Sequence, residues 1–182
     1  MRLFVGIPLP REIVDTLYYV VQDWKNCADG VKYVEPENMH ITLKFIGDVD
    51  AGRAERISTI LEQVSFAPFS VHLEGVGAFP SVNRPRVLWI GVNEGFEDTV
   101  HLSMQIDGLL SAEGVPRETR KFHPHVTIGR VKSYSPTVPE KIREYAGRPF
   151  GSFVVERFVL YKSTLTPNGP VYEELNSYGV ER

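Results

Sequence analysis

Hydrophobic residues recur along the chain with two periods, one typical of β-strands and the other of α-helices. Alternating or continuous apolar runs predict strands over residues 2–7, 31–34, 39–46, 69–76, 86–92, 126–131, 151–162 and 171–175. Helical spacing predicts helices over residues 10–24, 50–64 and 96–110, with a short helix or turn over 140–145. Strands and helices are intermixed without a regular strand–helix–strand repeat, which predicts an α+β protein.

The first two predicted helices each have one apolar side. In the first helix the apolar side consists of Ile13, Leu17, Val20, Val21 and Trp24. In the second it consists of Ile57, Ile60, Leu61 and Val64, and Asp50 is the expected N-cap. Both helices are therefore expected to pack one face against a core.

Two tetrads within the predicted strands share the order histidine, aliphatic residue, threonine, aliphatic residue. They are His40-Ile41-Thr42-Leu43 and His125-Val126-Thr127-Ile128, and their histidines are 85 residues apart in a chain of 182. Side chains alternate between the two faces of a strand, so each histidine shares a face with its threonine. We therefore expect an internal duplication within one domain, 1–182, in which two similar lobes each contribute a motif strand to a central cleft.

Two basic residues near the tetrads are candidates for contact with an anion. Strict alternation places Lys44 on the face of His40 and Thr42. There it is expected either to contact an anionic substrate or to be exposed to solvent at the end of the strand. The same alternation sends Arg130 to the aliphatic face, where a long side chain without a partner would be costly. A bulge at Gly129 would instead turn the guanidinium of Arg130 toward a phosphate.

Composition narrows the function classes. The chain is 42% hydrophobic and 24% charged, which is enough to bury a sizeable core. Its net charge of -3 argues against a broad basic surface that coats nucleic acid, but not against an enzyme that handles one phosphate.

The first eight residues are typical of a strand and not of a signal peptide, so a cytoplasmic location is expected. The single cysteine, Cys27, is expected to be structural.

The residues around the tetrads resemble the two-histidine phosphoesterases, and within them the RNA 2',3'-cyclic phosphodiesterases once described as 2'-5' RNA ligases. The similarity covers essentially the whole chain. It includes the segments 38–47 and 122–130 around the tetrads, 2–7 at the start, 85–92 in the middle, and 163–165 with Gly169 and Tyr172 at the end.

The resemblance implies antiparallel sheets flanked by helices in two pseudo-symmetric lobes, and hydrolysis of RNA 2',3'-cyclic phosphate ends. By resemblance, His40 is the acid that protonates the leaving ribose oxygen and His125 is the base that activates water, which gives a terminal 2'-phosphate. Thr42, Thr127 and Arg130 are the expected phosphate-binding residues. No cofactor is expected, and ATP-independent joining of RNA ends is a further implied activity. The expected substrates are RNA ends such as those of tRNA halves, or small cyclic nucleotides, and the expected state is a monomer.

The residues themselves are consistent with this chemistry, because in-line opening of a cyclic phosphodiester needs a base and an acid on opposite sides of phosphorus. Two alternatives remain open. Three histidines, His40, His123 and His125, could bind zinc in a metal-dependent hydrolase. The threonines at the same offset in both tetrads have no purpose in such a site. The second alternative is a module that binds RNA ends without catalysis.

Overall fold

The computed structural model describes residues 1–179, so the last three positions of the predicted domain lie outside the described residues. The strands are β1 (Arg2–Pro8), β2 (Val31–Tyr33), β3 (His40–Asp48), β4 (Phe69–Pro80), β5 (Pro85–Val92), β6 (His125–Val131), β7 (Pro149–Val155), β8 (Arg157–Thr166) and β9 (Gly169–Gly179). The helices are α1 (Arg11–Lys25), α2 (Ala51–Leu61), α3 (Phe96–Ser111) and α4 (Thr137–Tyr145), with a 3-10 turn at Pro36–Asn38. The predicted α+β class is confirmed.

The strands form one antiparallel sheet with the motif strands at its centre. The order is β7-β4-β5-β6-β3-β1-β8-β9, and β2 also pairs with β6. The two halves of this order join where β3 meets β6, through the pair Ile41 and Val126. The two tetrads, which are 85 residues apart in sequence, are therefore neighbours in the sheet.

The halves of the sheet are not the halves of the chain. β4 comes from the first half of the sequence but pairs with β5, beside the second motif strand. β8 comes from the end of the sequence but pairs with β1, beside the first motif strand. Each half of the sheet therefore includes strands from both halves of the sequence, and neither sequence half holds a complete lobe.

The prediction of a single long strand over 151–162 is wrong. The structure divides it at Glu156 into β7, which pairs with β4, and β8, which pairs with β1. The chain leaves one half of the sheet here and enters the other. Because apolar residues alternate on both sides of Glu156, the sequence pattern conceals the break.

The predicted helices are confirmed with small changes at their ends. All five apolar residues expected on the inner side of α1 are buried. The Asp50 carboxylate accepts a hydrogen bond of 2.8 Å from the backbone N–H of Arg53, so Asp50 is the N-cap of α2. This helix ends at Leu61, and Ile60 and Val64 are only half-buried. None of the α-helices within residues 1–179 is long and apolar enough to cross a membrane.

The motif strands have an aliphatic side that is buried in the main core and a polar side that is not. Ile41, Leu43, Val126 and Ile128 belong to the core, which also contains the inner residues of the helices. A separate small cluster of Phe4, Val159 and Tyr161, with Tyr172 packed against it, surrounds the histidine of β3. We call the side that carries this cluster and the motif histidines the open face.

Lys44 does not lie on the open face. In the β1–β3 ladder Gly6 is opposite Thr42 while Val5 is opposite Lys44, so Leu43 is an extra residue in β3. Such a bulge reverses the alternation. Lys44 consequently points toward α3 on the buried side of the sheet and is only 7% exposed. Both sequence-based expectations for it, contact with an anionic substrate and exposure to solvent, are wrong.

The buried ammonium of Lys44 connects β3 to the segment that leads into β6. Its Nζ donates to Asp107 Oδ1 on α3 at 2.6 Å and to the carbonyl of Pro116 at 2.8 Å. Asp107 also accepts from Arg117 Nε at 2.9 Å and from the backbone N–H of Glu118 at 3.1 Å. Burial alone would raise the pKa of Asp107, but the bonds from Lys44 and Glu118 outweigh it and the net pKa is lowered.

Replacing Lys44 by methionine leaves the Asp107 carboxylate without its buried cation. Loss of one partner of a buried ion pair costs about 3–5 kcal/mol of unfolding free energy. We expect a loss of this size in denaturant titrations at pH 7. The difference should shrink as the pH falls through the lowered pKa of Asp107, because the carboxylate is then protonated in both proteins. Glu144→Gln, which changes the ion pairs of the half-exposed Glu144 with Arg148 at 3.4 Å and Lys141 at 3.5 Å, is the control and should cost less than ~1 kcal/mol. Equal losses in the two variants would contradict a buried pair.

Candidate active site

The backbone just upstream of β3 holds the ring of His40. Nδ1 of His40 lies 2.7 Å from the carbonyl oxygen of Asn38, which can only accept, so Nδ1 carries the proton. Nε2 is then unprotonated and accepts a hydrogen bond of 2.9 Å from the hydroxyl of Thr42. The Asn38 side chain fixes this turn by donating to the carbonyl of Pro170 at 3.0 Å.

The ring of His125 is held through Nδ1 in the same way at the start of β6. Its Nδ1 donates to the carbonyl of His123 at 2.6 Å. In both motifs the acceptor is therefore the carbonyl two residues before the histidine, and each neutral ring keeps Nε2 unprotonated. An unprotonated Nε2 is the atom a general base uses, and after protonation the atom a general acid uses.

The pairing of β3 with β6 gathers the predicted residues on one face. Ile41 and Val126 are opposite each other and fully buried. The residues on either side of them, His40 with Thr42 and His125 with Thr127, point away from that core. The expected convergence of the two motifs is therefore present. Burial is the main cause that lowers the pKa of His40, and a positive charge on His125 adds to it in the same direction.

Aromatic rings surround both imidazoles. His40 lies 4.9 Å from Phe4 between ring centroids and 5.4 Å from Tyr172, which meets it edge-on. His125 lies 5.1 Å from Phe79 and 6.2 Å from Trp89. Burial among these rings disfavours the charged imidazolium and lowers both histidine pKa values from 6.5, although the carbonyl bonds to Nδ1 act in the opposite direction.

Phe4 packs beside His40 and Trp89 beside His125, and neither was identified as part of the site from the sequence. A signal for them was present, because Leu3-Phe4-Val5-Gly6-Ile7 and Leu88-Trp89-Ile90-Gly91-Val92 match each other at the same offset of 85 residues as the tetrads. The glycines are part of this repeat. A Cβ on Gly6 would lie 3.2 Å from Cδ2 of His40, and Gly91 is opposite His125 in the sheet. The duplication therefore includes the strand that flanks each motif strand.

The bulge predicted at Gly129 is present. In the β5–β6 ladder Leu88 is opposite Gly129 while Trp89 is opposite Thr127, so Ile128 is an extra residue. Arg130 is thereby moved to the face of Thr127, where its side chain is exposed and its charge contributes to lowering the pKa of His125. A Cβ at Gly129 would lie 2.8 Å from Val31, so a side chain there would displace β2.

The three histidines considered as zinc ligands do not form a ligand set. The ring of His123 packs against Trp89 at 4.8 Å and against Phe79 at 5.4 Å, and its buried Nδ1 has no hydrogen-bond partner. Within residues 1–179, no three His, Cys, Asp or Glu side chains are grouped so that they could hold a metal ion. The geometry thus favours the pair His40 and His125 as a proton-transfer site.

Comparison with known proteins is consistent with this duplicated site. The LigT like phosphoesterase model matches the chain twice, over residues 7–89 and 90–172, with one tetrad in each match. The chain belongs to the LigT-like phosphoesterase family. The family expected from the sequence is thus confirmed.

Two relatives of this LigT-like phosphoesterase are similar over nearly their whole length. An RNA 2',3'-cyclic phosphodiesterase of Archaeoglobus fulgidus is 41% identical over 178 residues, which cover 98% of this chain and 99% of the relative. The enzyme of the same name from Methanocaldococcus jannaschii is 38% identical over 180 residues, 98% of this chain and 100% of the relative. The crystal structure of E. coli LigT complexed with 3'-AMP superposes with a TM-score of 0.84 at 25% identity, covering 100% of this chain and 98% of LigT.

The lowered pKa values can be measured by NMR titration of the imidazole protons. We expect the midpoints of both His40 and His125 to lie below 6.5, so that both rings are neutral at pH 7. His40→Gln and His125→Gln assign the two signals. Because the unfolded chain binds these protons more tightly, the same shifts should reduce the stability of the fold as the pH falls below about 6.5. A midpoint above 6.5 for either ring would contradict the effect of burial.

Proposed function

We propose that this protein hydrolyses 2',3'-cyclic phosphodiester ends of RNA to terminal 2'-phosphates, and that the whole chain is one catalytic domain with one motif in each pseudo-symmetric lobe. The observation that carries the proposal is the pair of imidazoles on adjacent strands, each fixed through Nδ1 to a backbone carbonyl with Nε2 left for proton transfer. The names of the whole-length relatives support the same substrate class.

In the proposed reaction the neutral Nε2 of His125 accepts a proton from water as the water oxygen attacks phosphorus. The bond from phosphorus to O3' of the ribose breaks on the opposite side. O3' takes a proton from Nε2 of His40, and the phosphate remains attached to O2'. One proton has then moved to His125 and one has left His40, so a proton exchange with solvent restores the starting state.

His40 must be protonated when the substrate is bound. Its pKa is lowered in the free protein, but an anionic phosphate beside the ring favours the imidazolium and opposes that shift. The hydroxyl of Thr42 can then no longer donate to Nε2, because a protonated Nε2 can only donate, and the hydroxyl proton becomes available to another acceptor. The freed hydroxyl of Thr42, together with that of Thr127, donates to the non-bridging phosphate oxygens, where negative charge increases in the transition state.

Both proton transfers are assigned to imidazoles of the chain, so we propose that the reaction proceeds without a metal and without a cofactor, and that full activity is retained in excess chelator. The reverse reaction, attack of a ribose hydroxyl on a cyclic end, would join RNA ends without ATP. We further propose that the enzyme acts in the cytoplasm as a monomer.

The first test replaces each motif histidine by alanine. Because a positioned general acid or base contributes about 10²- to 10⁴-fold in rate, His40→Ala and His125→Ala should each lose at least 100-fold in kcat on a short RNA ending in a 2',3'-cyclic phosphate. His72→Ala is the matched control and should retain activity. It removes an imidazole on β4 that is hydrogen-bonded to Ser152 on the edge strand β7.

Identification of the product completes this test. Terminal 2'-phosphate is expected, and exclusive formation of 3'-phosphate would reverse the assignment of acid and base. Tight RNA binding by the wild-type protein with no turnover would favour the non-catalytic RNA-end-binding module instead.

A second test concerns Arg130. We expect Arg130→Gln to reduce kcat/KM by about 10- to 100-fold, the usual range for loss of one charge-assisted hydrogen bond to phosphate. Arg86→Gln, which removes an exposed arginine from the other face of β5, is the control. Equal activity of the two variants would show that Arg130 does not bind the phosphate.

A further inference from the structure

A cavity of about 350 Å³ lies beside His40 on the open face. It is lined by side chains from α1, the 3-10 turn, β8 and β9, among them Arg11, Glu37, Tyr161, Tyr172 and Glu174. His40 itself lines the cavity and His125 does not, so the cavity is on the acid side of the site. Its size is within the range of about 300–1,000 Å³ that small-molecule pockets occupy.

The reaction geometry directs one part of the substrate toward this cavity. In-line attack places the water on the side of His125 and the leaving O3' on the side of His40. The ribose that carries O3' is then also on the side of His40, and its base extends beyond it. This step rests on the proposed function. We propose that the cavity binds the base of the terminal nucleotide, and that Glu37 and Glu174 make it selective for guanine.

The aromatic walls suit any base. Tyr161 is 8% exposed and stacks on Phe4 with ring centroids 4.9 Å apart, so its ring is held in place. Tyr172 is half-buried and stands edge-on to His40. Stacking on aromatic rings is tolerant of sequence because every base has a π-face. Selectivity must therefore come from the polar groups at the edge of the cavity.

The polar groups at this edge include two carboxylates that are available to a ligand. Glu174 is opposite Tyr161 in the β8–β9 ladder, and its ion pair with Arg157 is long, at 3.4 Å, and exposed. Glu37 makes no hydrogen bond or ion pair with any residue in the described range 1–179 and is exposed. Arg11 lines the same cavity and contributes one positive charge to it.

A carboxylate only accepts hydrogen bonds, so it discriminates bases by their donors. Guanine presents N1–H and the N2 amino group side by side, which match the two oxygens of one carboxylate. Adenine and cytosine each present one amino group beside an acceptor nitrogen. Uracil presents N3–H between two carbonyl oxygens that a carboxylate repels. The expected order of preference is therefore guanine first, adenine and cytosine next, and uracil last.

The test uses four short RNAs that differ only in the terminal nucleotide, each with a 2',3'-cyclic phosphate. For the wild-type protein we expect kcat/KM to be at least about tenfold higher for the guanosine end than for the uridine end, the effect of a charge-assisted hydrogen-bond pair. Glu37→Gln and Glu174→Gln should each reduce this ratio. The double variant should bring it to within about twofold.

Glu173→Gln is the matched control, because Glu173 is adjacent on β9 and points to the other face of the strand. It should keep the wild-type ratio. Equal rates on all four ends, or a guanine preference that survives in the double variant, would overturn the base selectivity while leaving the hydrolysis intact. Failure of the wild-type protein to hydrolyse any of the four ends would instead refute the proposed function.

Discussion

The pairing of β3 with β6 at Ile41 and Val126 is the contact on which the rest of the site depends. Each motif strand supplies an imidazole whose orientation is set locally, by a carbonyl two residues upstream. Neither strand alone can place a base and an acid on two sides of one phosphorus. Their antiparallel contact brings the two histidines to one face, as the proposed mechanism requires, and the burial of both aliphatic side chains in the common core favours this register over a slip by one residue.

A bulge in each motif strand makes the two lobes unequal. The fifth residue of each motif lies on the buried side of the sheet, Lys44 in one lobe and Gly129 in the other, and the sixth lies on the open face. The sixth residues are Phe45, which lies under the Arg2 guanidinium at 5.1 Å, and Arg130. The same backbone irregularity thus provides an interior ion pair near His40 and an exposed cation near His125. This difference adds to the asymmetry between two histidines that are both held through Nδ1 by a backbone carbonyl.

The aromatic rings around the histidines connect the fold to the proposed chemistry. Phe4 and Trp89 come from the strands that flank the motif strands, whereas Tyr172 and Phe79 come from β9 and β4, farther out in the sheet. Burial among these rings makes the charged imidazolium costly and lowers the pKa of both histidines. The lower local dielectric that accompanies this burial also strengthens the hydrogen bonds that the proposed phosphate would accept. The cavity next to His40 extends this environment on one side only, so the proposed base recognition follows from the same asymmetry as the proposed roles of acid and base.

Local patterns in the sequence determined the helices, the inner residues of α1, the Asp50 cap and the polar face shared by each histidine and threonine, because these follow from periods of 3.6 and 2. The glycine in the second motif also indicated the bulge that is found there, as the alternative to strict alternation. The burial of Lys44 and the break at Glu156 were not predictable, because a bulge without glycine and a change of pairing partner depend on residues far away in the chain. Two further features arise only in the tertiary structure. One is the placement of β4 beside the second motif and of β8 beside the first, and the other is the cavity beside His40. Both are formed by segments that meet through long-range strand pairing.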